Sequence, residues 1–179
     1  MKDLSMHIMD IIQNSVRAEA SNVQLEIVES QKDDLFSIGI KDDGFGMSKE
    51  VLAKAIDPFF TTRTTRKVGL GLSLLKQNAE QTGGRMDISS KEGVGTELKA
   101  VFSHSHLDRP SLGDVAGTMV LLVGANPEMD FLYKHTSDIG EYVFDTKEIK
   151  EVLDGVSVSD PEIMKYLKEM IKENLNTII

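Results

Sequence analysis

The sequence predicts an α+β chain, a sheet layered against helices, followed by a smaller α/β appendage. Up to Phe102 the hydrophobic spacing switches between helical and strand periods in the order α-β-β-α-loop-α-β-β. Glycine, proline and short polar clusters punctuate each switch. Beyond Phe102 the pattern restarts with a loop, an apolar run, a hairpin and a terminal helix. These observations set the expected boundaries at 1–104 for the first domain and 105–179 for a C-terminal α/β extension.

The first element is a helix, because Ile8, Ile11, Ile12 and Val16 repeat at helical spacing. Asp10, Asn14 and Arg17 stand at i, i+4 and i+7 and share one stripe. Three polar groups on one stripe of a core-facing helix need solvent or a ligand. Residues 22–29 alternate apolar Val23, Leu25 and Ile27 with polar neighbours, a half-buried strand. SQKDD is a turn, LFSIGIKD a second strand, and DDGFGM a loop punctuated by glycine. Ser48 caps the helix SKEVLAKAI, which Asp57-Pro58 ends. FFTTRTTRKVGLGL opens as a basic loop and closes on two glycines. A helix over about 73–82 follows, stopped by Gly83-Gly84. RMDISS and GTELKAVF pair across a turn at 91–95. In the extension, SHSHLDRPSLGD is loop-like, and VAGTMVLLVGANP holds an apolar helix or strand. Two strands form a hairpin around 138–140, and Pro161 opens a helix with Ile163, Leu167, Met170 and Ile171 on one face. The apolar stretch VAGTMVLLV and the hairpin suggest an added layer or a protein-contact surface.

Composition narrows the function. The formal charge of −9 argues against a general nucleic-acid binder, which needs a clustered basic face. The absence of cysteine excludes disulfides and thiolate metal sites. No apolar run approaches the ~20 residues of a membrane span, and the charged N-terminus lacks a signal-peptide layout. A cytoplasmic protein with no membrane or nucleic-acid partner is the expectation.

Three stretches can carry chemistry. In Asp42-Asp43-Gly44-Phe45-Gly46, two glycines let the backbone approach a planar or phosphorylated ligand. A carboxylate at the strand end can accept from an exocyclic amine such as a purine offers. Asp-Gly turns are also common as purely structural devices. In Lys67-Val68-Gly69-Leu70-Gly71-Leu72, two glycines precede a helix whose N–H groups and dipole favour an anion. Arg63, Arg66 and Lys67 crowd the same approach, as a phosphate site or as solvated charges. Asp10 and Asn14 offer oxygen ligands of the kind that suit magnesium, which keeps several waters and bridges phosphates.

Taken in order, these boxes resemble a known superfamily. Asp10–Asn14, Asp42-x-Gly44-x-Gly46, Pro58-Phe59-Phe60-Thr61-Thr62, Gly69-Leu70-Gly71-Leu72 and Gly93-Val94-Gly95-Thr96 are similar to the Bergerat-fold ATPases: gyrase, the heat-shock chaperone ATPase, histidine kinases and mismatch-repair ATPases. PFFTTR and GLGLSLLK most resemble the histidine-kinase branch, and the first helix also resembles the mismatch-repair box. The resemblance implies a two-layer α/β sandwich with a mixed sheet, binding ATP with magnesium. Asn14 would then hold the metal, and Asp10 would orient or deprotonate the attacking water or substrate. Family members usually carry glutamate or asparagine there, and aspartate is shorter than glutamate by one methylene. Arg17 matches a phosphate-contacting basic position of the kinases. Asp42 would accept from the adenine amine, with Gly44 and Gly46 giving the base room and Thr96 assisting. Thr61, Thr62, Arg63 and Lys67 would belong to a short lid, and Gly69, Leu70, Gly71 and Leu72 would frame the triphosphate. Lys67 replaces the first glycine of that box. TTRTTRKVGLGLSLLKQ with SHLDRPSLGD also resembles small kinase-like ATP-binding proteins associated with iron hydrogenases of anaerobic bacteria.

A sensor histidine kinase carries a dimerising hairpin with its phosphoacceptor histidine ahead of this domain. Only six residues precede His7, so that hairpin is expected to be missing. His7 should pack near the site. His104 and His106 suit a metal pair without a third ligand, or solvated loop positions, and His135 draws no role. The expected function is a stand-alone, partner-dependent protein kinase or slow ATPase switch in signal transduction. The alternative is a non-catalytic nucleotide-binding regulatory or assembly subunit.

Overall fold

Six strands form one continuous sheet in the computed structural model, which describes residues 2–57, 59 and 70–179, residue 70 by its backbone alone. The strands are β1 (Asn22–Ser30), β2 (Leu35–Asp42), β3 (Arg85–Lys91), β4 (Gly95–Ser103), β5 (Asp130–Thr136) and β6 (Glu141–Asp145), in the order β3-β4-β2-β1-β5-β6. β5 runs parallel to β1 and every other pairing is antiparallel, giving a mixed sheet. Alternation fixes the faces. Val23, Leu25 and Ile27 of β1 are buried while Gln24 and Glu26 are exposed, and Ile38, Ile40, Leu98 and Ala100 continue the buried face.

The helices are α1 (Leu4–Arg17), α2 (Lys49–Ala55), α3 (Leu70–Gln81), α4 (Val115–Ala125), α5 (Thr146–Leu153) and α6 (Pro161–Asn176). α3, α1, α4 and α6 lie side by side, and the apolar strand face closes onto them. This is the α+β two-layer architecture that the sequence predicts. α1 buries Leu4, Ile8, Ile11 and Ile12, each worth about 1.5–3 kcal/mol of transfer free energy. Asp3 caps it by accepting from the Met6 amide at 3.0 Å, a contact of about 1 kcal/mol. Ser48, Asp114, Asp145 and Asp160 cap α2, α4, α5 and α6 in the same way.

Four features refine or correct the sequence reading. VAGTMVLLV is the added layer of the two expected alternatives, not the contact surface. It forms α4, where Val115, Ala116, Met119, Val120, Leu122 and Val123 are buried between α1 and α6. A helix covered on nearly every side has no amphipathic stripe, so its pattern cannot be told from a buried strand. α3 begins at Leu70 rather than near residue 73. The sequence reading also missed α5, a two-turn helix that ends where Asp154 turns left-handed before Gly155. The segment expected as an extension enters the sheet itself, with β5 hydrogen-bonded along β1 from Asn22 to Val28.

Candidate functional site

The last turns of α1 meet the end of β2, where the buried Ser15 reaches the carboxylate that closes that strand. Asp42 Oδ2 accepts a 2.7 Å hydrogen bond from Ser15 Oγ on α1, and Asp42 Oδ1 accepts from the Gly44 amide at 2.9 Å. Two donors on different elements fix the carboxylate in one rotamer. Beyond it opens a cavity of about 260 Å³ walled by Ile40, Phe45, Met47, Val51, Leu72, Ile88 and Leu98. Such a slot, apolar with one anchored carboxylate, suits a flat heteroaromatic ring that carries an exocyclic amine.

Thr96 lines the same cavity, directly opposite Asp42 in the β2–β4 register. Its hydroxyl lies 2.8 Å from Ser90 Oγ, which also accepts from the Met47 amide at 2.8 Å. This knits the Asp42 loop to β3 and β4. Gly46 lines the cavity with φ +69, and a Cβ there would fall 2.1 Å from the Lys91 carbonyl. Only glycine satisfies both conditions. Gly44 stands behind the cavity wall against Ala18. Asp43 points away and ties the Ser21 and Asn22 amides, at 2.7 and 2.8 Å. Partial burial pushes its carboxyl up, but the Asn22 and Ser21 donors outweigh this and hold it below the usual range.

Asn14 and Arg17 flank the cavity mouth. Arg17 Nη1 donates to Asn14 Oδ1 at 2.7 Å. Asp10 lies one turn back, against the first turn of α3: a Cβ on Gly71 would stand 1.9 Å from Asp10 Oδ2. Burial raises the Asp10 carboxyl above its usual range, with Arg17 pulling the other way. His7 completes this seam, with Nε2 3.2 Å from Asn78 Nδ2 on α3 and Nδ1 buried without a hydrogen-bond partner. Burial holds the imidazole below its usual range, opposed by the nearby Gly71 backbone.

The structure thus gathers Asn14, Arg17, Asp42, Gly46, Leu72 and Thr96 on one cavity and sets Asp10 and Gly71 beside it. Thr61, Thr62, Arg63, Lys67 and Gly69, with the Leu70 side chain, lie outside the described residues. Sequence reasoning missed Ser15. A serine following Asn14 on a core-facing helix was the available signal.

The other histidines divide: His106 fits the loop alternative, while His104 and His135 gather on Glu29. His135 is buried between Tyr133 and Glu29: the Tyr133 hydroxyl lies 2.6 Å from Nδ1, and Nε2 lies 2.6 Å from Glu29 Oε1, a carboxylate oxygen that accepts. Burial pushes the Tyr133 phenol up, so it stays protonated. His104 faces the other Glu29 oxygen at 3.8 Å. His106 instead accepts from the Asp108 amide at 3.1 Å. Among the described residues no group of three or more His, Asp or Glu side chains is placed to hold a metal.

A mixed sheet backed by helices, with an apolar cavity at the strand ends and a carboxylate anchored inside it, defines a nucleotide-binding α/β sandwich. Residues 2–106 match the family described as histidine kinase-, DNA gyrase B- and HSP90-like ATPase. The chain belongs to this family of ATP-binding domains. A putative sensor protein of Shewanella frigidimarina is 29% identical over 109 residues, covering 60% of this chain and 17% of its own. A putative NtrY-like sensor histidine kinase of Rickettsia conorii is 31% identical over 85 residues, covering 48% of this chain and 14% of its own. The chain therefore spans less than a fifth of the length of these relatives. Among solved structures, the N-terminal domain of a DNA repair protein aligns with a TM-score of 0.58 at 15% identity, over 87% of this chain and 58% of that one. That likeness concerns the fold. No helix among the described residues is long and apolar enough to cross a membrane.

Proposed function

We propose that the chain binds ATP with magnesium between α1, the Asp42 loop and the basic segment 61–67, and acts as a partner-dependent cytoplasmic protein kinase or ATPase switch in signalling. The observation that carries this reading is the Asp42 carboxylate, held by Ser15 and Gly44 at the polar end of an otherwise apolar slot. Asp42 accepts from the adenine amine, and Thr96 supports the same edge. The donor set fits the ion: Asn14 supplies a carboxamide oxygen at the mouth, and a guanidinium already stands on it as an organic cation. Magnesium there would neutralise phosphate charge. Arg17, with Arg63 and Lys67 of the lid, contacts phosphate oxygens, and Gly69 and Gly71 admit the polyphosphate to the N-terminus of α3.

Asp10 is the proton acceptor at the reacting end. Burial strengthens it as a base, while its short side chain limits its reach and sets a slow turnover. A second reading has its own support. Asp10 leans on Gly71 and is not part of the cavity lining, as expected of a nucleotide-binding regulatory subunit that hydrolyses nothing.

Calorimetric titration with ATP, ADP and a non-hydrolysable analogue, with and without magnesium, followed by phosphate release, separates the readings. Magnesium-dependent binding with slow release supports the kinase or switch. Binding without release supports the regulatory subunit, and no binding rejects both.

A further inference from the structure

Arg17 occupies a telling position at the mouth of the cavity. Its Nη1 hydrogen-bonds Asn14 Oδ1 at 2.7 Å, and its charge acts on the Asp10 carboxylate. One guanidinium is therefore bonded to one oxygen-bearing group of the α1 stripe and acts through its charge on another. The last turn of α1 favours a cation through the helix dipole, and i,i+3 spacing brings Arg17 over Asn14. The Asn14 carboxamide has a single acceptor atom, since its nitrogen is a donor. A hard divalent ion binds through that same oxygen. That oxygen has two lone pairs, but a guanidinium on one of them sets a like charge against a metal on the other.

We propose that Arg17 is a built-in placeholder for the metal. Without nucleotide, the guanidinium holds the Asn14 oxygen and keeps free divalent ions out. A metal–polyphosphate complex displaces it, because phosphate oxygens offer Arg17 charged, bidentate acceptors in place of one neutral carbonyl. Metal capture then depends on phosphate, and the two arrive together. Adenosine, which has no phosphate, enters the apolar slot and leaves the Arg17–Asn14 contact in place. This inference rests on the magnesium–nucleotide reading of the site.

The test uses Mn²⁺ alone, followed by electron paramagnetic resonance, on the full chain and two variants. Arg17→Met uncovers the oxygen without adding a donor or an oxygen ligand. Lys99→Met removes the same charge from the exposed face of the sheet. Freed of a competing donor and a like charge, Arg17→Met should bind Mn²⁺ about tenfold more tightly than the parent. Lys99→Met should match the parent. A Mn²⁺ affinity of Arg17→Met equal to the parent's would overturn the placeholder, and so would an equal gain in Lys99→Met, which would trace the effect to net charge. Calorimetry of the parent with Mg–ADP distinguishes the two levels. No nucleotide binding overturns the site reading and the placeholder together. Nucleotide binding with unchanged Mn²⁺ affinity overturns the placeholder alone.

Discussion

Replacing Asp42 by Asn tests the base-recognition end of the site with little disturbance of the fold. In the parent, Oδ1 takes the Gly44 amide at 2.9 Å and Oδ2 takes the Ser15 hydroxyl at 2.7 Å. An asparagine can keep the first contact only by turning its oxygen toward Gly44. Its NH₂ then faces Ser15, whose hydroxyl rotates to accept, so neither group is left unpaired. What disappears is the anionic acceptor that the proposed reading assigns to the adenine amine, because the site now presents a donor to a donor. A hydrogen bond to a charged group contributes about 1.5–3 kcal/mol, which corresponds to a loss of roughly 10- to 150-fold in affinity. Calorimetry with ADP reads this directly, and thermal unfolding checks that the apo protein keeps its midpoint. Ser15→Ala should give a smaller loss, since Asp42 keeps its charge and loses one of two positioning donors. Unchanged ADP affinity in Asp42→Asn would refute the assignment of this carboxylate to the base.

Three further outcomes follow from the same geometry. Asn14→Ala should keep adenosine affinity and abolish the magnesium dependence of ATP binding; calorimetry in magnesium and in chelator checks this, and an equal magnesium response in both proteins removes Asn14 from the metal. Gly71→Ala places a methyl 1.9 Å from Asp10 Oδ2, and that carboxylate, being a side-chain tip, will swing away. Helix propensity favours alanine by up to about 1 kcal/mol, so the melting temperature should hold or rise while phosphate release falls. Glu29 is held below its ordinary value of 4.5, chiefly by the His135 hydrogen bond. The unfolded chain binds that proton more readily, so the stabilisation is complete above about pH 5 and fades as pH falls through the depressed folded value. His135→Phe should flatten the acid limb of melting temperature against pH, and an unaltered slope would show that the contact does not govern it.

Local pattern made the strands and α1 legible, together with the glycines at 44, 46 and 71. Pairings across long stretches of chain stayed hidden. The Ser15 hydroxyl meets Asp42 across 27 residues, and His135 meets Glu29 across 106, so each shows a polar residue in the sequence without its partner. The seam between α1 and α3 stayed hidden for another reason. Gly71 read as loop, yet it stands in the first turn of α3, where the missing Cβ lets the Asp10 carboxylate keep its present rotamer against the helix. α4 was ambiguous because periodicity vanishes in an element buried on nearly all sides.

The same features bear on whether 1–104 can stand alone. β1 is an interior strand, with β2 on one side and β5 on the other, and the β5 pairing runs over seven residues, Asn22 to Val28. α1 likewise has α3 on one flank and α4 on the other. Its first turn is held by the Leu4 and Ser5 amides, which donate to the Ser111 and Leu112 carbonyls at 2.9 and 2.8 Å. Cutting after residue 104 removes all of these at once. It would bare an interior strand edge, the flank of α1 that α4 covers, and two amides that bind the later segment. Each exposed large apolar side chain loses about 1.5–3 kcal/mol of burial, and a handful of them equals the entire stability of an ordinary domain, about 5–15 kcal/mol. A 1–104 fragment should therefore fail to show a cooperative thermal transition and should associate through the open edge of β1. Since α1 carries Asp10, Asn14, Ser15 and Arg17, the fragment should also lose nucleotide affinity. A monomeric fragment that melts cooperatively and binds ADP like the full chain would refute this coupling of sheet and site.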